Sequence, residues 1–146
     1  MVGLARRGQV EHTEQVKLVQ RVRAFYPDVI IAAIPNGGSR TAQERLRLHG
    51  EGVLAGMPDL CVLSPSKGFC GLFVEMKTQE GVVAAAQRDV ARRLNAAGYL
   101  CLVARSCADG FKLIEEYLDD DGKDDRGEGG QGDQVKGGAG SRADRR

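Results

Sequence analysis

Apolar residues recur along most of the chain in two periods, one helical and one of strand type, and from Asp119 onward they almost vanish. Val16, Leu18, Val19, Val22 and Phe25 follow helical spacing. Thr13 before them is a suitable N-cap and Pro27 ends the run, which predicts a helix from Glu14 to about Tyr26. Val29 to Ile34 is a continuous apolar run and reads as a buried strand. After the loop Pro35-Asn36-Gly37-Gly38-Ser39, Thr41 and Glu44 have the spacing of a capping box, so a second helix is expected, ending near Gly50. Two further strand-length runs cover Gly56 to Leu63 and Gly71 to Lys77. The intervening Ser64-Pro65-Ser66-Lys67-Gly68 is turn chemistry, and the pair reads as a hairpin.

A third helix is predicted from about Ala84 to Ala97, with Val90, Ala91, Leu94 and Ala97 inward and Gly98 as its stop. Tyr99 to Ala104 reads as a buried strand. Ser106 then caps a last helix, Asp109 to Leu118, with Phe111, Ile114 and Leu118 inward. The passage from Phe73 through the third helix to Ala104 is a strand–helix–strand crossover, which is right-handed and leaves its strands parallel. The fold class expected is therefore α/β, a mixed central sheet flanked by helices. Residues 1–10 read as a flexible arm, 11–118 as one folded domain, and 119–146 as a disordered tail rich in Gly and charge.

Composition narrows this picture only slightly. The 146 residues are 42% hydrophobic but only 5% aromatic, without Trp, so the core must be built from Val, Leu, Ile and Ala. A formal net charge of +1 gives no global sign of nucleic-acid binding, although local patches remain possible. Met1 to Gln9 lacks the apolar stretch of a signal peptide, and no segment is long and apolar enough to span a membrane. No membrane partner is therefore expected, and the cytoplasm is the default location. Cys61, Cys70, Cys101 and Cys107 form no Cys-x-x-Cys pair, and the spacing argues against zinc.

Charge placement carries the chemistry. Glu75 and Lys77 lie two apart on one strand, so they project from one face. Asp59 begins the partner strand and can reach that face. Acidic and amino groups interrupting apolar strands have two readings. One is an exposed strand end with a Glu–Lys pair. The other is a site for a hard divalent cation such as Mg²⁺, for which one or two carboxylates suffice because the ion keeps several waters. In the second reading Lys77 orients an attacking water or offsets charge on a phosphate. Asn36 and Arg40 in the Gly-rich loop, Arg45 on the second helix and Arg88 on the third are groups of the kind that contact phosphates, or else a turn and solvated helix faces.

Pro58-Asp59 followed by Glu75-Met76-Lys77 resembles the PD-(D/E)xK nuclease core. The longer runs Gly52 to Leu60 and Phe73 to Thr78, then Gln87 past Gly81, with Glu14 on the first helix, resemble the VRR-NUC family of virus-type replication-repair nucleases. The resemblance covers roughly residues 11 to 118. It implies a restriction-endonuclease-like core in which Asp59, Glu75 and the backbone carbonyl of Met76 bind Mg²⁺ or Mn²⁺. It implies that Lys77 serves the attacking water, Glu14 steadies the metal through water, and Gln87 holds Lys77. Stand-alone members of this family, often phage-encoded, resemble compact homodimers that cut branched DNA such as four-way junctions. A phage-encoded member would act in the host cytoplasm. Three other outcomes stay open: a catalytically silent DNA-binding module of a replication or packaging complex, a flap or single-strand nuclease, and a nuclease of a defence system. One departure is visible: Ala84 stands where the family usually has Ser, which forfeits ~1 kcal/mol of helix capping.

Overall fold

The computed structural model describes the backbone of residues 2–35 and 41–119, with side chains from residue 8 onward. Nearly all of the predicted tail, and the loop residues Asn36 and Arg40, lie outside the described residues. The elements run α1 (Val2–Phe25), β1 (Ile31–Ala33), α2 (Ala42–Gly50), β2 (Leu60–Val62), β3 (Leu72–Met76), α3 (Ala85–Ala96), β4 (Leu100–Ala104) and α4 (Cys107–Leu118). The four strands form one mixed sheet in the order β1-β2-β3-β4. The first two pairings are antiparallel and β3–β4 is parallel, as the crossover through α3 requires.

Strand alternation divides the sheet into two faces. Leu60, Val62, Leu72, Val74 and Met76 point one way and are all buried. They pack with Leu18 and Val22 of α1 and with Phe111, Ile114 and Tyr117 of α4, which together close the main core. The Tyr117 hydroxyl donates to the Ser64 carbonyl at 2.6 Å and ties α4 to the hairpin loop. The odd-numbered positions point the other way. There Phe73 meets Tyr99 edge-on at 5.4 Å between ring centroids, and Glu75 is buried.

Three elements depart from expectation. The first helix begins at Val2, so it takes in the residues read above as an arm. Its first turns are rich in helix-forming Ala, Leu, Arg and Gln, and two Gly residues only weaken a helix rather than end it. Thr13 is thus no cap; mid-helix, its hydroxyl donates to the Gln9 carbonyl at 2.9 Å. The strands β1 and β4, both expected to be buried, are the two edges of the sheet, and Ile30 and Val103 are exposed. An apolar run alone does not say whether both of its sides are covered. Conversely, α2 carries its predicted capping box: Thr41 Oγ accepts from the Glu44 N–H at 3.2 Å, and Glu44 accepts from the Thr41 N–H at 2.9 Å. Among the described residues no helix is long and apolar enough to cross a membrane.

One close approach fixes the β2 entry against α3. Gly56 has φ +88°, and a Cβ there would lie 2.6 Å from the Ala86 carbonyl oxygen. Gly52 has φ +95° but open space around it. Gly56→Ala therefore combines left-handed strain with a backbone clash and should cost about 2 kcal/mol or more. Gly52→Ala should cost only the strain, about 1 kcal/mol. Urea unfolding of the two variants, compared with the parent protein, checks the difference.

Candidate active site

The ladder between β2 and β3 stops at the pair Leu60–Val74, whereas β3 continues to Met76 against β4. Where the strands part, the Met76 N–H lacks a strand partner on the β2 side. Asp59 supplies one: its Oδ2 accepts from that N–H at 2.8 Å. The Asp59 backbone carbonyl in turn accepts from the Ile34 N–H at 2.8 Å. The acid is thus anchored at both ends of the residue, beside the end of β3.

Glu75 sits opposite, only 5% exposed. Its Oε1 receives both the Lys77 ammonium and the Gln87 side-chain amide. The Lys77 Nζ also lies 3.2 Å from the Met76 carbonyl oxygen. Glu75 Oε2 is buried with no hydrogen-bond partner among the described residues. Asp59, Glu75 and Lys77 do converge, and the pair is not an exposed strand end. Gln87 was expected to hold Lys77; instead it holds Glu75, the oxygen that Lys77 also contacts. Its own Oε1 accepts from the Ala84 N–H at 2.8 Å. One glutamine therefore serves the helix end, where Ala84 offers no side-chain cap, and the buried carboxylate together.

Glu14 is placed differently from expectation. Its Oε2 accepts from the Cys107 N–H at 2.7 Å, and its Oε1 takes Lys17 at 2.9 Å. It caps the start of α4, and those bonds hold its carboxyl below the usual range, the Cys107 N–H contributing most. The α1 acid whose charge reaches the site is Glu11, one turn earlier. It accepts from the Thr78 N–H at 3.1 Å, and its charge acts on both Asp59 and Glu75. A helix predicted to begin at Glu14, capped by Thr13, left Glu11 outside it. Reading the helical period back through the first turns would have put Glu11 and Glu14 on one face.

Burial is the main reason that the carboxyls of Asp59 and Glu75 are both pushed above the ordinary range. For Asp59 the Met76 N–H and Lys77 oppose the shift, while Glu11 adds to it. For Glu75 Lys77 opposes it, and Asp59 and Glu11 add to it. Of the residues expected to meet DNA, Arg45 and Arg88 are exposed. The Arg88 guanidinium donates to the Val83 carbonyl at the α3 start.

The residues fit a hard cation. Among the described residues no set of three or more His, Cys, Asp or Glu side chains could hold an ion by itself. Mg²⁺, however, needs only one or two carboxylates beside its waters. The site offers Asp59, a buried Glu75 oxygen without a partner, and the Met76 carbonyl. The Lys77 ammonium already bridges Glu75 and that carbonyl, so the spot is shaped for positive charge.

A mixed-sheet α/β core with an Asp, a Glu and a Lys gathered where two strands part defines a nuclease-type fold. The chain belongs to the VRR-NUC domain family, whose model matches residues 6–108. A solved VRR_NUC domain protein has the same fold, with a TM-score of 0.63 at 22% identity over 75% of this chain and 88% of its own. No curated protein matches the chain significantly.

The raised Asp59 pKa has a consequence for stability without metal. An acid whose pKa is higher in the native state costs stability as pH rises from the ordinary carboxylate range through the native value. Above that value the penalty is complete. Asn can still accept from the Met76 N–H but carries no charge. Asp59→Asn should therefore be more stable than the parent protein at pH 7, and the difference should vanish on the acid side of the ordinary range. Thermal unfolding in EDTA across that pH interval checks this.

Proposed function

We propose that the chain is a divalent-metal-dependent endodeoxyribonuclease that hydrolyses phosphodiester bonds and selects branched DNA by its structure, working as a homodimer. The observation that carries this reading is the buried Glu75 oxygen without a partner among the described residues, beside Asp59 and Lys77 in a member of a nuclease family. Such an oxygen is costly unless something positive meets it. Asp59, Glu75 and the Met76 carbonyl would hold Mg²⁺ or Mn²⁺. A divalent cation bound there supplies Lewis acidity, polarising a phosphate oxygen and making water a better nucleophile.

The side chains around it divide the remaining work. The Lys77 ammonium orients the attacking water and offsets charge that grows on the phosphate. Gln87 holds Glu75 by Oε1 and so would leave its second oxygen available to a cation. Glu11 adds negative charge from the α1 side and draws the cation in. Exposed Arg45 and Arg88 would follow the phosphate backbone, as would Asn36 and Arg40. Paired incisions on opposing strands need two such sites, which a second copy of the chain supplies.

Cleavage of labelled four-way junction, flap, duplex and single-stranded DNA in Mg²⁺, Mn²⁺ or EDTA tests the proposal. Symmetric cuts in the junction that disappear in EDTA, and fall at least about 10²-fold in Lys77→Ala, are expected. Cuts confined to the flap or single strand would keep the chemistry and replace the substrate. Binding without cleavage of any form would favour the silent DNA-binding module. Sedimentation with and without junction DNA checks the dimer; a monomer in both ends paired incision.

Two acids one turn apart on α1 should behave oppositely. Glu11→Gln should lower Mg²⁺ affinity or cleavage by about 10-fold or more with little change in stability. Glu14→Ala should lose about 1 kcal/mol of stability and keep its cleavage rate per folded molecule. Titrating Mg²⁺ in the cleavage assay, beside urea unfolding, separates the two.

A further inference from the structure

We infer that Arg105 is a positioning residue for Lys77, acting through the turn Thr78–Gly81; this rests on the reading of Lys77 given above. The Arg105 Nη1 donates to three backbone carbonyls of that turn, those of Thr78 at 2.6 Å, Gln79 at 2.9 Å and Gly81 at 3.0 Å. One nitrogen carries two hydrogens, so three carbonyls must crowd around it. Only a tightly curled backbone can present them. The turn closes on itself as well, with the Gly81 N–H donating to the Thr78 carbonyl at 3.0 Å.

The curled turn lies on the Lys77 stem. A Cβ at Gly81 would stand 3.2 Å from both Cβ and Cδ of Lys77, tighter than ordinary contact. Gly81 is therefore packed against the methylenes that lead to the ammonium. Lys77 has three flexible carbons beyond Cβ, and a flexible lysine is a poorly aimed point charge. A wall on one side of its stem restricts its rotamers and directs Nζ to Glu75 and the Met76 carbonyl.

Arg105 is itself held rigidly. The Lys77 N–H donates to the Ala104 carbonyl at 2.9 Å, so β3 and β4 end side by side. Asp109 accepts from the Arg105 N–H at 2.8 Å. The amide of Gln79 returns to the Arg105 carbonyl at 3.4 Å. On the opposite side of the turn Glu11 takes the Thr78 N–H. The turn after the lysine is thus clamped between an α1 acid and a guanidinium at the α4 entry. With three carbonyls of one turn around its Nη1, the Arg105 guanidinium is committed to the fold.

The test pairs a direct probe of Lys77 with turnover. In the full-length protein, acylation of lysines by an amine-reactive ester is followed at each site by mass spectrometry, with Lys17 and Lys112 as internal references. Arg105→Ala is expected to raise the acylation rate of Lys77 several-fold relative to both references. Lys17 and Lys112 are exposed already, so a global loss of structure is separated by far-UV circular dichroism and thermal unfolding of the variant, which should match the parent protein. In single-turnover cleavage the same variant should lose about 10²-fold in rate with DNA affinity within about twofold, since a misplaced group affects the chemical step. Gly81→Ala disturbs the same contact from the other side and should copy the Lys77 effect, which keeps the test intact if Arg105→Ala folds poorly. Unchanged Lys77 reactivity in both variants overturns the inference. So does a loss of DNA affinity that accounts for the whole loss of rate. An inactive parent protein would count against the nuclease reading alone, because the acylation result stands without turnover.

Discussion

A carboxylate buried to 5% exposure is the constraint around which this domain is arranged. Removing an acid from water is expensive unless other groups meet its charge. At Glu75 the described neighbours meet one oxygen generously, with an ammonium and an amide, and leave the other with none. The same burial that raises the carboxyl's pKa makes a hard cation a favourable neighbour. Stability and proposed function thus pull in opposite directions at one side chain. Folding positions the acid at a cost, and the group that would relieve the cost is the one the chemistry needs.

The sheet creates this place by failing to continue. As long as β2 pairs with β3, backbone groups satisfy each other and leave no room for a side chain. Past Leu60 and Val74 the two strands part, and the Asp59 carboxylate takes over the role of the missing strand at the Met76 N–H. Asp59 is therefore a substitute backbone acceptor as well as a candidate ligand. Gly56 lets the incoming chain lie against the first turn of α3, which carries Gln87. The start of α3 can come this close to the segment leading to Asp59 because residue 56 is glycine.

The first helix spans the sheet's buried face and works as a strut. Leu18 and Val22 secure it in the core. Nearer its start, Glu11 bonds the turn after Lys77 and Glu14 bonds the entry of α4. Both acids satisfy backbone N–H groups outside their own helix. Their difference in role follows from one helical turn of displacement along α1.

Much of the fold was legible in the chain itself. Strand-length apolar runs, helical spacing and a capping box placed all eight elements, and local chemistry marked ends at Thr41, Gly98 and Ser106. These features depend on residues within a few positions of each other, which a linear string preserves. The grouping of Asp59 with Glu75 and Lys77 was also legible, because a hairpin and strand alternation relate them by simple counting. Three matters were decided only in three dimensions. Which strands are edges depends on which neighbours arrive to cover them. Which oxygen Gln87 holds depends on the rotation of α3 about its axis, and whether Glu11 or Glu14 reaches the site depends on where α1 lies along its own axis. Both settings come from packing against a sheet assembled from distant segments. Local sequence determines that an element exists; contacts between elements determine which of its side chains meet.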